Sequence, residues 1–222
     1  MGIFDIVTGD RPPLVERAFE DISLMLTTGS RMLAAATGHL LDNEILDLDL
    51  EVLDDTINGR EADLRRVLLE HLSINPRKDL VFSLKLLSIV QEAERIGDLA
   101  KSLAETASLA SSPRMGKAVQ ELRDERDVVL KLMTRVHAAL VEDDEASSRE
   151  LMMEQEVIKK RLQEYIVRLA ANPNLRVDQA VVLSMAARML SRVSSHLANI
   201  ASTVASPFDQ IRGTPVPDSA KS

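Results

Sequence analysis

A stripe of apolar residues occurs twice in this chain, at an offset of 97 positions, and it constrains the fold more than any other feature. In each copy the apolar positions are separated by steps of four and three residues, which is the spacing of one buried face of an α-helix. The first copy consists of Ile89, Ala93, Ile96, Ala100, Leu103 and Ala107. The second copy consists of Ala186, Leu190, Val193, Leu197, Ile200 and Val204. The chain is therefore predicted to be a duplicated helical unit.

Helix breakers divide the chain into six helical segments, and no segment alternates with a period of two, so no sheet is expected. The segments are predicted to run from Pro12-Pro13 toward Gly38, from near Asn43 to residue 74, and over about 78–110, 114–141, 145–171 and 175–205. Long helices joined by short loops pack as antiparallel bundles. We therefore predict an all-α fold made of two antiparallel three-helix bundles.

The same breakers predict the organisation of the chain along its length. Residues 1–11 form an N-terminal segment, 12–111 the first bundle and 112–205 the second. Beyond Ser206 the chain carries Gly213, Pro215 and Pro217 and has no periodic stripe. Residues 206–222 are therefore predicted to be a disordered tail.

Composition limits the classes of protein that this chain can represent. Apolar residues make up 45% of the sequence but aromatic residues only 2%, and cysteine is absent, which excludes disulfides and thiolate metal sites. The net charge is −8 with no basic block, so binding to nucleic acid is not expected. No apolar run approaches the roughly 18 to 20 residues of a membrane span. We expect a soluble cytoplasmic protein.

Acidic side chains line two of the predicted helices. Glu94 and Asp98 are four residues apart on the third helix, so their carboxylates project from one face. A polar row on the second helix includes Asp54 and Glu61. If the two rows face each other, these four carboxylates converge, and oxygen ligands of this kind suit a hard cation such as iron, manganese, magnesium or calcium.

A second interpretation of the acidic row needs no metal. Arg65 and Arg95 lie within the same two rows, and their guanidinium groups can neutralise the acids in a surface network of ion pairs. The residues alone leave both interpretations open.

Several motifs resemble those of PhoU-type phosphate-uptake regulators over about residues 12–205. Residues 94–98 read Glu-Arg-Ile-Gly-Asp, which resembles the ERIGD signature of that family, and residues 190–201 resemble its LERIGDHAxNIA with both acids replaced by serine. Residues 57–61 are similar to the family's IN-x-x-E element. Residues 75–80 are similar to its Q-P-x-A-x-D-L-R turn, shortened by one residue and followed by Val81 in place of arginine.

The resemblance implies both a fold and a function. PhoU-type proteins are tandem three-helix bundles that bind multinuclear iron or zinc through paired ExxxD motifs. They restrain phosphate uptake and phosphate-starvation signalling by contacting a phosphate transporter and a sensor kinase. The resemblance therefore implies a non-enzymatic regulator that reaches the membrane only through these partners. It also leaves open that two copies of the chain form a homodimer.

This chain departs from the family pattern where the metal ligands are expected. Glu61 is followed by Arg65 in place of a second acid, Ser191 and Ser195 replace the acids on the last helix, and Ile158 falls at a position expected to be acidic on the fifth. Hydroxyl groups do not hold a hard cation without carboxylates beside them. We expect at most one metal site, in the first bundle, with Glu94 and Asp98 as ligands and Glu61 and Asp54 as helpers.

Two other functions remain open. A metal-free helical scaffold or adaptor is consistent with the replaced acids. A carboxylate-bridged metal enzyme on a helical bundle would require Glu-x-x-His on two helices, and no histidine of this chain has a glutamate three residues before it. No G-x-S-x-G or phosphate-binding G-x-x-x-x-G-K motif occurs either.

Three further residues have structural interpretations. Gly97, inside the third helix, costs about 1 kcal/mol relative to alanine, and Ser194 in the second copy is also small. We interpret both as positions of close helix approach. His196 is interpreted as a surface residue with local hydrogen bonds.

Overall fold

The computed structural model describes residues 13–74, 80–110 and 112–212. Within these ranges the chain forms six α-helices and no strand. They are α1 (Pro13–Thr37), α2 (Leu50–Ile74), α3 (Leu80–Ala107), α4 (Lys117–Glu142), α5 (Glu145–Ala170) and α6 (Val177–Ala205). A short π-helix, Gly38–Asp42, continues α1, and a 3-10 turn, Phe208–Gln210, follows α6. The N-terminal segment 1–11 and the predicted breakers at Asn75-Pro76 and Ser111 lie outside the described residues.

The helices pack in two sets of three, which confirms the predicted all-α fold. α1, α2 and α3 contact one another, and so do α4, α5 and α6. All twelve positions of the repeated stripe are buried, and Ile96 and Val193, its corresponding central residues, are both fully buried. The two sets meet where α3 packs on α6 and α1 on α4. The boundaries of the two bundles, 12–111 and 112–205, stay a prediction.

The second helix begins at Leu50, later than the sequence predicted. Asn43 has a left-handed backbone with a φ of 58°, which ends the π-helix and turns the chain. Its side chain accepts a hydrogen bond from the backbone N–H of Arg114 at 2.9 Å and donates to the Arg114 carbonyl at 3.0 Å. Asn43 thus fastens this turn to the segment before α4, a tertiary role that helical periodicity does not reveal.

The turn between α4 and α5 forms where the acidic residues predicted it. Asp143 adopts a left-handed φ of 54° and ends α4. The side chain of Asp144 then accepts a hydrogen bond from the backbone N–H of Ser147 at 2.9 Å. This is an N-cap contact, which satisfies one of the free amides at the start of α5.

The sequence predicts a disordered tail over residues 206–222, but the structure describes residues 206–212, which follow α6. The backbone N–H of Arg212 donates to Ser202 Oγ at 3.1 Å, and its guanidinium donates to Gln91 Oε1 on α3 at 3.3 Å. The segment therefore lies against α3. Residues 213–222 lie outside the described part of the chain.

None of the helices in the described ranges combines the length and the apolar character that are needed to cross a membrane.

Gly97 lies where α3 approaches α2 closely. A Cβ atom at this position would stand 3.1 Å from Ile57 Cδ1 and 3.5 Å from Asp54 Oδ1. Gly59, also inside a helix, has nothing within 4 Å of the corresponding point. Of these two glycines, only Gly97 has a neighbouring side chain that leaves little room for a Cβ atom.

We predict that adding a side chain at Gly97 and adding one at Gly59 have opposite effects on the stability of the protein. Gly97→Val forces a branched side chain into the contact between α2 and α3 and should destabilise the protein by about 2 kcal/mol. Gly59→Ala, the matched control, should stabilise it by up to about 1 kcal/mol because alanine favours helix and meets no neighbour. Urea unfolding measures both changes. An unchanged stability of Gly97→Val would refute the close approach.

Candidate functional site

The four predicted ligand residues lie along the contact between α2 and α3. Asp54 and Glu61 belong to α2, and Glu94 and Asp98 belong to α3. Burial raises the pKa of Glu94, the charge of Asp98 raises it further, Arg95 opposes this, and Glu61 and Asp54 add to it. The charges of Asp98, Glu61 and Asp54 therefore all act on Glu94 at the contact between α2 and α3.

Arginine side chains pair with three of these acids. Arg65 Nη2 lies 2.9 Å from Glu61 Oε1. Arg95 lies 3.5 Å from Glu94 Oε2 through Nε and 3.2 Å from Asp98 Oδ2 through Nη1. Both guanidinium groups are about half exposed, so these are surface ion pairs of modest strength.

Lys101 pairs with the fourth acid, Asp54, and no sequence motif indicated this lysine. Its ammonium lies 3.0 Å from Asp54 Oδ2 and 2.8 Å from Glu51 Oε2. These hydrogen bonds raise the pKa of Lys101 above its usual value. Lys101 is 47 positions from Asp54 in sequence, so only the packing of α3 on α2 brings them together.

The environment of Asp54 is the most unusual in the site. Its side chain is 6% exposed, and its Oδ2 also accepts a hydrogen bond from Asn58 Nδ2 at 3.1 Å. Its other oxygen, Oδ1, is buried with no hydrogen-bond partner and faces Gly97. A buried carboxylate is costly unless it is paired, so Asp54 depends on its neighbours.

This arrangement does not fit the iron or zinc ions that the family resemblance implied. Each of the four acids already has an arginine or lysine partner. Nowhere in the described ranges do three or more histidine, aspartate or glutamate side chains come together so that they could hold a metal ion. A metal held by Glu94, Asp98, Glu61 and Asp54 stays a prediction that the structure does not test.

The corresponding place in the second half carries neutral groups. Ser195 Oγ accepts a hydrogen bond from Gln155 Nε2 of α5 at 3.1 Å and donates to the carbonyl of Ser191 at 3.0 Å. Ile158 is fully buried in the core. The hydroxyl of Ser195 is thus used in hydrogen bonds to α5 and to its own helix.

A second polar cluster joins the two halves, and it corrects the interpretation of His196. His196 Nδ1 lies 2.7 Å from Glu92 Oε2 on α3, where the sequence predicted local bonding. Asn199 donates to the same oxygen at 3.0 Å, and Arg212 lies 2.5 Å from Oε1. Glu92, with only 4% of its side chain exposed, therefore accepts contacts from α6 and from the segment after it.

Comparison of the sequence with known proteins identifies a family and two relatives. The profile of the PhoU domain matches residues 14–107. The phosphate-specific transport system accessory protein PhoU homolog 1 of Thermotoga maritima is 28% identical over 191 residues, which are 83% of this chain and 82% of that protein. The corresponding PhoU homolog of Deinococcus radiodurans is 28% identical over 188 residues, 81% of this chain and 87% of that protein.

Comparison of the structures agrees with the sequence match. The crystal structure of PhoU from Pseudomonas aeruginosa superposes with a TM-score of 0.78, covering 86% of this chain and 95% of that one at 21% identity. At this level of identity the superposition shows a shared fold.

Glu94 and Glu92 should give opposite dependences of stability on pH. The pKa of Glu94 is raised on folding, so its contribution to stability is present below the unfolded pKa and is lost as pH rises through the folded one. Burial alone would raise the pKa of Glu92, but hydrogen bonds from His196 and Asn199 and the charge of Arg212 hold it below its usual value. Its contribution is therefore lost as pH falls.

Substituting glutamine for Glu94 or for Glu92 tests the direction of each pH dependence, and the measurement is urea unfolding between pH 4 and pH 7. Glu94→Gln should gain stability relative to wild type as pH rises, because glutamine never ionises. Glu92→Gln should lose stability over the same rise, because the wild-type carboxylate becomes charged and well bonded. Parallel pH profiles for the two variants would contradict this description of the site.

Proposed function

The chain belongs to the PhoU domain family, and from this premise we propose that it is a non-enzymatic, cytoplasmic regulator of phosphate uptake. In this proposal it docks on a phosphate transporter or on the sensor kinase that reports phosphate starvation. The observation that carries the proposal is the similarity of more than four fifths of the chain to two proteins named as phosphate-specific transport accessory proteins.

The chemistry of the chain supports binding without turnover. The sequence has no cysteine and no Glu-x-x-His pair, G-x-S-x-G or phosphate-binding loop. The acids Glu61, Asp98 and Asp54 are each paired with an arginine or lysine side chain. A regulator that acts through its surface needs none of these chemical groups.

A groove on the flank of the first bundle supports docking along a helix pair. It has a volume of about 540 Å³ and lies between α2, α3 and the segment after α6. Leu69 and Phe208 line it and are 63% and 41% exposed. Helical proteins bind partner helices in apolar grooves of this kind.

Deletion of the gene should derepress phosphate uptake in phosphate-rich medium. The measurement is the initial rate of radiolabelled phosphate uptake together with the expression of uptake genes. The wild-type gene, supplied in trans, should restore repression. A deletion strain that is indistinguishable from wild type would overturn the proposal and favour an unrelated scaffold role.

Two complementing variants test the docking surface in the same strain. Leu69→Asp places a charge in the groove and should fail to restore repression. Val167→Asp, on α5 and 60% exposed, is the matched control and should restore it. Equal complementation by both variants would exclude the groove, while leaving the regulatory role intact.

A further inference from the structure

The α3 side of the groove on the flank of the first bundle changes in character along the helix. Leu84 and Leu87 line the part of the groove near the start of α3. Ser88 and Gln91 line it one turn further along the same helix. This side is therefore apolar toward the start of α3 and polar toward its middle.

The α2 side follows the same gradient. Asp54, near the start of α2, contacts Lys101, near the end of α3, whereas the second half of α2 lines the groove beside the first half of α3. The two helices are therefore antiparallel. Leu69 of α2 then lies at the apolar end of the groove, and Arg65, one turn before it, lies toward Gln91.

The segment after α6 brings a second arginine to the polar end. Arg212 donates a hydrogen bond to Gln91 Oε1 at 3.3 Å, and its guanidinium lies 2.5 Å from Glu92 Oε1. Its backbone N–H also donates to Ser202 Oγ at 3.1 Å. Arg212 adopts a left-handed φ of 66°, which a residue other than glycine rarely does. These contacts hold Arg212 on the side of the groove opposite Arg65.

The acids that pair with the two arginines lie further inside the protein than the arginines do. Arg65 and Arg212 are 48% and 46% exposed, whereas their partners Glu61 and Glu92 are 15% and 4% exposed. None of the described residues that line the groove is acidic. Each guanidinium has several N–H donors, so donors remain on its exposed side. More distant charges of the chain are screened beyond about 10 Å.

We propose that the groove takes a partner helix with an acidic side chain about one or two turns from a group of apolar side chains. The apolar group packs on Leu69 and Leu84, and the carboxylate accepts hydrogen bonds from Arg65 and Arg212. The ion pair fixes the direction in which the partner helix lies. This inference rests on the docking role proposed above and names the chemistry of the partner.

A library of helical peptides displayed on phage, with one face randomised, supplies the probe. The library is first depleted on the Leu69→Asp variant and is then selected on the full-length wild-type chain, so that the retained peptides depend on the groove. We expect these peptides to be enriched in aspartate or glutamate beside their apolar positions. Retained peptides that are neutral or basic there would overturn the proposal, and so would a selection that retains none.

Fluorescence anisotropy then measures the affinity of the most enriched peptide. Arg65→Gln and Arg212→Gln should each weaken binding about tenfold. Arg135→Gln, the matched control on α4 with a side chain 50% exposed, should leave the affinity unchanged. Circular dichroism and urea unfolding show that each variant is folded. Because Arg212→Gln also loosens the segment after α6, Arg65→Gln is the decisive variant, and an unchanged affinity for it would overturn the proposal.

A double-mutant cycle assigns the loss to the ion pair. Replacing the acid of the peptide by its amide should weaken binding to wild type about tenfold but should have little further effect on Arg65→Gln. Additive losses would overturn the assigned contact. These measurements use purified protein and peptide, so their outcome is separate from that of the uptake assay, which tests the regulatory role.

Discussion

Burial of the repeated apolar stripe is the interaction on which the rest of this structure depends. Each valine, leucine or isoleucine side chain of α3 and α6 that is fully buried contributes on the order of 1.5–3 kcal/mol. Because the two helices also pack on each other, the buried residues of the two halves form one continuous cluster. The packing of α2 on α3 also positions polar groups, since it brings Asp54 beside Gly97 and Lys101.

The interface between α3 and α6 shows how the duplicated halves have diverged. Glu92 contacts Asn199 at one end, while Thr106 Oγ1 lies 4.0 Å from Met189 Sδ at the other, so the helices run antiparallel. Met189 stands 97 positions after Glu92 and is its counterpart in the second copy. One end of the interface is thus charged and the other apolar. The acidic row, kept in the first half and lost in the second, follows the same asymmetry.

The fold could be predicted from the sequence because helix periodicity and helix breakers act over short distances along the chain. The repeated stripe predicted the buried faces of α3 and α6, and the spacing of the acidic residues on α2 and α3 was enough to name them as candidates. Residues whose partners are distant in sequence could not be found in this way. Lys101 meets Asp54, and His196 meets Glu92, only after the helices have packed. The bonds between Asn43 and Arg114 likewise join residues 71 positions apart in sequence.

Scanning calorimetry of the whole chain tests most directly whether the stripes of α3 and α6 form a single core. If the two halves share that core, they should unfold together in one transition with equal calorimetric and van't Hoff enthalpies. Two resolved transitions, each with the enthalpy of one three-helix bundle, would contradict this account. They would mean that the contact between α3 and α6 merely joins two independently stable halves.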